Sequence, residues 1–70
     1  MNIYSKEQKA LVEKLKLARQ QANLSQKQAA ELLGRSQSYL SKLESGQRQI
    51  NVHCLNNLAK IYRKEITYFI

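Results

Sequence analysis

The chain has 70 residues, 43% of them hydrophobic, and a formal net charge of +7 from 12 Lys and Arg against 5 Glu, with no Asp. That length holds one domain, residues 1–70, near the lower limit for folding without a metal or disulfide; it leaves little room for a catalytic pocket beside a core, so no enzymatic activity and no cofactor are expected. No run of about 18 apolar residues is present to span a membrane, the opening MNIYSKEQK lacks the apolar centre of a secretion signal, and a single cysteine fits a reducing cytoplasm.

A surface this basic favours nucleic acid, an anionic membrane or an acidic protein, and charge alone does not choose among them. The absence of proline and the presence of only two glycines argue for helices with short turns at Gly34 and Gly46. No internal repeat, linker or low-complexity tract is visible.

Residues 1 to 4 read as a lead-in. Ser5 can cap a first helix with Gln8 as its capping-box partner, and this helix runs to about Gln21 or Ala22. Leu11, Leu15, Ala18 and Ala22, widened by Val12, form its inward stripe. Lys9, Lys14, Lys16 and Gln20 face outward. A basic amphipathic helix can also lie on a membrane surface, but this stripe is rich in alanine and has no Trp or Phe, so a core-facing helix is the better reading. Asn23 ends the helix, since Asn tolerates the left-handed conformation, and Leu24 drops into the core.

The stretch LSQKQAAELLGRSQSYLSKLESG, Leu24 to Gly46, reads as two short helices about a tight glycine turn, the motif itself occupying about residues 25–45. Ser25 caps the first and Gln28 completes a capping box. Ala29, Ala30, Leu32 and Leu33 follow, and Gly34 closes the helix as a left-handed cap. Ser36 caps the second, which runs over about residues 37–44 and is stopped at Gly46. At about 100° per residue, Gln37, Ser38, Ser41, Lys42 and Ser45 share one side, while Leu40 and Leu43 share the other. An outer face of amides, small hydroxyls and one lysine suits close approach to something polar and negatively charged.

A fourth helix is expected from about Val52 to Tyr62, capped by Asn51, with Val52, Leu55, Leu58, Ala59 and Tyr62 inward. His53 and Cys54 are adjacent, but no second Cys or His exists to complete a zinc site, and nothing orients a catalytic Cys–His pair. Cys54 therefore reads as a small buried hydrophobe, His53 as an exposed polar residue, and no metal is expected. Arg63, Lys64 and Glu65 make a polar break before ITYFI, a short last turn in which Ile66 and Phe69 close the core.

Arg19, Leu24–Ser25–Gln26, Ala30, Leu33–Gly34, Ser36, Leu40, Ser41, Leu43, Glu44, Gly46, Leu58–Ala59, Ile66 and Phe69 together resemble the helix-turn-helix regulators typified by phage lambda-type repressors and Cro. The resemblance covers about Leu11 to Phe69. It implies an all-α fold of four helices plus a short C-terminal fifth, and sequence-specific binding of double-stranded DNA as a small transcriptional repressor or regulator, with the helix at 37–44 in the major groove.

Residue roles follow from side-chain chemistry at such a groove and, for the Gln26–Gln37 bracing, the Arg19–Glu44 pair and the loop at 47–48, from the resemblance. Gln37 can give bidentate hydrogen bonds to adenine, Lys42 can reach guanine O6 and N7, and Ser38 and Ser41 permit close approach to base edges. Gln26, Arg35, Tyr39, Gln47 and Arg48 are candidates for the DNA backbone, where contacts set orientation and carry salt-dependent affinity. Gln26 is also expected to brace Gln37. Arg19 is expected to pair with Glu44, whose charge would otherwise face DNA phosphates. Ile50 stands where the family often has proline and is expected to plug the core; Arg35 replaces a residue that is more often small or apolar, and reads either as a phosphate contact or as an ordinary exposed turn charge, as Tyr39 reads as a phosphate or thymine-methyl contact or a plain surface tyrosine. Tyr68 and Ile70 are candidate contacts for a homodimer reading two half-sites about one DNA turn apart, or they simply finish the core.

Rival readings are an antitoxin-type regulator with a protein partner as well as DNA, the DNA-binding part of a longer regulator, and a basic RNA- or membrane-binding module. The RNA reading lacks interleaved aromatics for base stacking, and the membrane reading lacks a strong exposed apolar face. No small-molecule ligand is indicated.

Overall fold

Short polar side chains open three of the helices and left-handed residues close all four. The computed structural model describes residues 6–70, so the expected Ser5 cap lies outside the described residues. Four α-helices follow in order, α1 (Lys6–Gln21), α2 (Gln26–Leu33), α3 (Gln37–Glu44) and α4 (Val52–Ile61), and then a 3₁₀ turn at Ile66–Tyr68. No strand occurs among the described residues. The Cα radius of gyration, 11.2 Å, matches the roughly 11 Å of a folded chain this long. Among the described residues, no helix is long and apolar enough to cross a membrane.

The starts follow the sequence reading. Ser25 Oγ accepts from the Gln28 N–H at 3.1 Å while Gln28 Oε1 accepts from the Ser25 N–H at 2.9 Å, a closed capping box on α2. Ser36 Oγ accepts from the Tyr39 N–H at the start of α3, and Asn51 Oδ1 accepts from the Cys54 N–H at the start of α4. Each satisfies a backbone donor that has no partner within the helix.

All four helices end in the same way. A residue with positive φ turns the chain, and the N–H after it reaches back to a carbonyl five residues earlier, the paired arrangement of a Schellman closure. The turning residues are Asn23 (φ 59°), Gly34 (78°), Gly46 (81°) and Arg63 (59°). The long bonds are Leu24 to Arg19, Arg35 to Ala30, Gln47 to Lys42 and Lys64 to Ala59, at 2.8–3.2 Å. Gly34 and Asn23 were legible as such; Arg63 was read only as part of a polar break. An arginine in this conformation crowds its Cβ against the following carbonyl, a cost glycine does not bear.

Leu15 and Ala18 of α1, Ala29 and Ala30 of α2, Leu40 and Leu43 of α3, and Leu55, Leu58 and Ala59 of α4 form the core, joined by Cys54, Tyr62 and Phe69. Alanines at the crossings let the helix axes come close. Helix α3 packs against α1 and α2, α2 also packs on α4, and the 3₁₀ turn docks on α4. Ile50 and Ile66 pack partly buried against this core. Val52 does not: as the first residue of α4 it is 75% exposed, because the inward stripe begins one turn later, at Cys54 and Leu55. Leu32 is exposed as well.

Among the described residues, one charged residue is buried. Glu44, the last residue of α3, is 4% exposed. Arg19 of α1 grips it with two bonds, Nε to Oε2 at 2.8 Å and Nη2 to Oε1 at 3.2 Å, and sends its Nη1 to the Leu24 carbonyl at 2.8 Å. Gln26 of α2 adds a bond from Nε2 to Glu44 Oε1 at 3.0 Å. The carboxylate thus has three donors from two other helices. The Tyr62 hydroxyl, by contrast, is a buried polar atom with no hydrogen-bond partner. Burial, and then the Glu44 carboxylate, hold its phenol above the ordinary value of about 10, with Arg19 opposing.

Three outcomes follow from these contacts. Glu44→Ala strands Arg19 in a largely buried site and is expected to cost about 3–5 kcal/mol, leaving the chain close to unfolded at room temperature; an unchanged urea midpoint would show that the pair holds nothing. Arg63→Gly relieves the left-handed arginine and is expected to add about 1 kcal/mol, read as a higher midpoint at constant slope. Tyr62→Phe removes the unpaired hydroxyl and is expected to add about 1 kcal/mol at neutral pH. The folded chain keeps the Tyr62 proton where the unfolded chain has lost it. The stability linked to keeping that proton is therefore complete in the wild type below about pH 10 and is lost as the pH rises above that, so Tyr62→Phe is also expected to flatten the alkaline fall in stability.

Candidate nucleic-acid interface

Helix α3 presents the candidate site because its two sides have opposite solubility. Leu40 and Leu43 are each 1% exposed and anchor it against α1 and α2, while Gln37, Ser38, Ser41, Lys42 and Ser45 are exposed on the outside. The Ser45 hydroxyl donates to the Lys42 carbonyl at 3.2 Å, so it serves the helix end. The remaining four are the residues read from the sequence as base contacts, and the structure brings them together on one face.

The charge of this surface is one-sided. Between Arg35 and Arg48 the charged residues are Arg35, Lys42, Glu44 and Arg48. The three cations are exposed, whereas Glu44 is buried and neutralised by Arg19. A carboxylate at the C-terminal end of a helix meets the negative end of the helix dipole; the three donors offset this and keep it from the outer face. What α3 and its flanks show to solvent is positive.

The candidate backbone contacts fall into distinct settings. Arg35 lies in the α2–α3 turn and Arg48 in the α3–α4 loop, both exposed, with exposed Gln47 beside Arg48. Tyr39 is half-buried between them, with the Arg35 and Arg48 guanidinium carbons 4.8 and 4.6 Å from its ring centroid. Its hydroxyl is turned to α4, donating to Cys54 Sγ at 3.7 Å. Neither relation was visible in the sequence, because the partners come from three different segments.

Gln26 differs from the expected arrangement. It was expected to brace Gln37; its amide nitrogen instead donates to Glu44 Oε1. The physical reason is that a buried carboxylate oxygen makes a stronger, charge-assisted bond than a neutral amide would, and Gln26 opens α2 directly beside it.

At the other end of the chain, Tyr68 is half-buried. It packs edge-on to Phe69 with centroids 5.0 Å apart and carries Lys64 Nζ 4.7 Å above its ring. Ile70 is 81% exposed. His53 is exposed and Cys54 is a buried free thiol.

Comparison with known proteins agrees with this geometry. No curated protein and no solved structure matches the chain. A family model described as helix-turn-helix matches residues 15–69, from the first core leucine of α1 through α2, α3 and α4 to Phe69. With well over half its length matched, the chain belongs to the helix-turn-helix family of lambda repressor and Cro type.

Proposed function

We propose that the protein is a sequence-specific double-stranded DNA-binding regulator that lays α3 in the major groove. The observation that carries this reading is the outer face of α3. It is built of short polar side chains flanked by Arg35, Lys42 and Arg48, and the one acid of that stretch is buried. A helix of this girth fits the major groove, where each base pair displays a distinct pattern of donors and acceptors.

In this reading Gln37, Ser38, Ser41 and Lys42 meet base edges. Gln37, at the first position of α3, offers the donor and acceptor that adenine needs, and Lys42, one turn on, offers donors to guanine. Arg35, Arg48 and Gln47 meet the sugar-phosphate backbone, and Gln26 uses the second hydrogen of its amide nitrogen for a phosphate while the first stays on Glu44. Binding at a promoter would act as repression by occlusion. A homodimer formed through exposed Ile70, with Tyr68 beside it, would place two copies of α3 about one DNA turn, roughly 34–36 Å, apart.

The test is in vitro selection from random duplex DNA at two salt concentrations. A two-fold-symmetric enriched site is expected. Gln37→Ala with Lys42→Ala should abolish the enrichment, each lost contact removing about 1–3 kcal/mol of discrimination, while thermal stability stays unchanged because both side chains are exposed. Steep salt dependence with no enriched sequence would leave only the basic charge and refute the base-contact assignment. An enriched half-site without symmetry, with a monomer in sedimentation, would remove the dimer.

A further inference from the structure

We infer that Tyr39 is a positioning residue that gathers Arg35 and Arg48 into one phosphate clamp at the N-terminal end of α3. The inference rests on the DNA-binding reading and deepens it: the two arginines act as a unit on the sugar-phosphate backbone, and the tyrosine acts through them.

The geometry is specific. Arg35 precedes α3 and Arg48 follows it, on opposite ends of a helix about 12 Å long. Both guanidinium groups nevertheless converge on the one Tyr39 ring, at 4.8 and 4.6 Å from its centroid. The two cationic carbons are therefore at most 9.4 Å apart, the sum of those distances. That is about one screening length at physiological salt, roughly 8–10 Å, so the two charges repel each other unless something holds them. The electron-rich face of the ring supplies that hold. An anion that bridges the two arginines relieves the repulsion and meets planar donors from both, the geometry in which arginine binds phosphate well.

The ring itself is held from behind. Its hydroxyl donates to Cys54 Sγ, and the Cys54 N–H is in turn fixed by the Asn51 cap. With its hydroxyl turned to α4 and both guanidinium groups 4.8 and 4.6 Å from its ring centroid, Tyr39 is placed to orient the arginines rather than to meet phosphate itself.

A double-mutant cycle on binding to the selected duplex decides this. Tyr39→Leu keeps an apolar side chain on the core and is expected to weaken binding about tenfold in the wild type, and by less than about twofold when Arg35 and Arg48 are both alanine. Tyr39→Phe keeps the ring and should bind within about twofold of wild type. The Arg35→Ala, Arg48→Ala double variant should lower the slope of log K against log salt by about 2, close to one unit per lost phosphate contact. In the free protein, NMR should show the Arg35 and Arg48 side-chain protons shifted by the ring current in wild type and Tyr39→Phe, and unshifted in Tyr39→Leu.

Equal losses from Tyr39→Leu in both backgrounds would overturn the clamp, making Tyr39 an independent contact or a purely structural residue. A Tyr39→Phe loss as large as that of Tyr39→Leu would also overturn it, assigning the effect to the hydroxyl. Absent ring-current shifts in the wild type would do the same. If the wild type bound no duplex at all, the DNA reading itself would fall, an outcome distinct from binding with additive losses.

Discussion

The carboxylate of Glu44 is taken out of water at the negative end of an eight-residue helix, and the way it is compensated fixes how α1, α2 and α3 meet. A buried charge without partners would drive the chain apart. Arg19 answers with two parallel bonds and a third to the Leu24 carbonyl, and Gln26 answers from the first position of α2. These bonds have direction, which the leucine and alanine contacts around them lack. The hydrophobic core makes the helices associate; the carboxylate specifies the orientation in which α3 is offered outward.

The same arrangement settles the electrostatics of the outer face. An acid exposed on α3 would oppose any polyanion approaching it. Held inward by Arg19, it leaves Arg35, Lys42 and Arg48 as the exposed charges of that stretch. Stability and surface charge thus draw on a single pair: the contact that orients the helix also removes the one negative charge of residues 35–48 from the surface. The serines at 38 and 41 complete the face by being short and exposed, which leaves the backbone of α3 open to close approach.

Much of this was legible in the sequence, since the decisive signals are local. Ser25 with Gln28, Ser36, Asn51, Gly34 and the two-sided pattern of residues 37–45 each report on a few neighbouring positions, and the described helices begin and end within a residue of where those signals lie. What escaped depends on distant partners or on weak local preferences. Arg63 adopts the left-handed turn because α4 must end there and the 3₁₀ turn must return to the core, a demand no arginine advertises. Val52 is apolar and lies at a helical spacing from the core, yet the first residue of a helix projects past the packing surface. Gln26 could have reached either Gln37 or Glu44, and only burial decides for the charged partner. The convergence of two arginines on Tyr39 needed the path of the α3–α4 loop.

The brevity of α3 has a consequence for any reading of affinity. Eight residues are too few for a helix to persist alone in water, where even favourable sequences need about 12–15. The recognition surface therefore exists only in the fraction of molecules whose whole core is assembled. Apparent affinity then equals intrinsic affinity multiplied by that fraction. Once the folded state is no longer dominant, a substitution at Leu58, far from the outer face, weakens binding to anything that docks on α3. Such a loss is recognised by its dependence on ligand concentration, because a saturating ligand pulls the assembled population back by mass action.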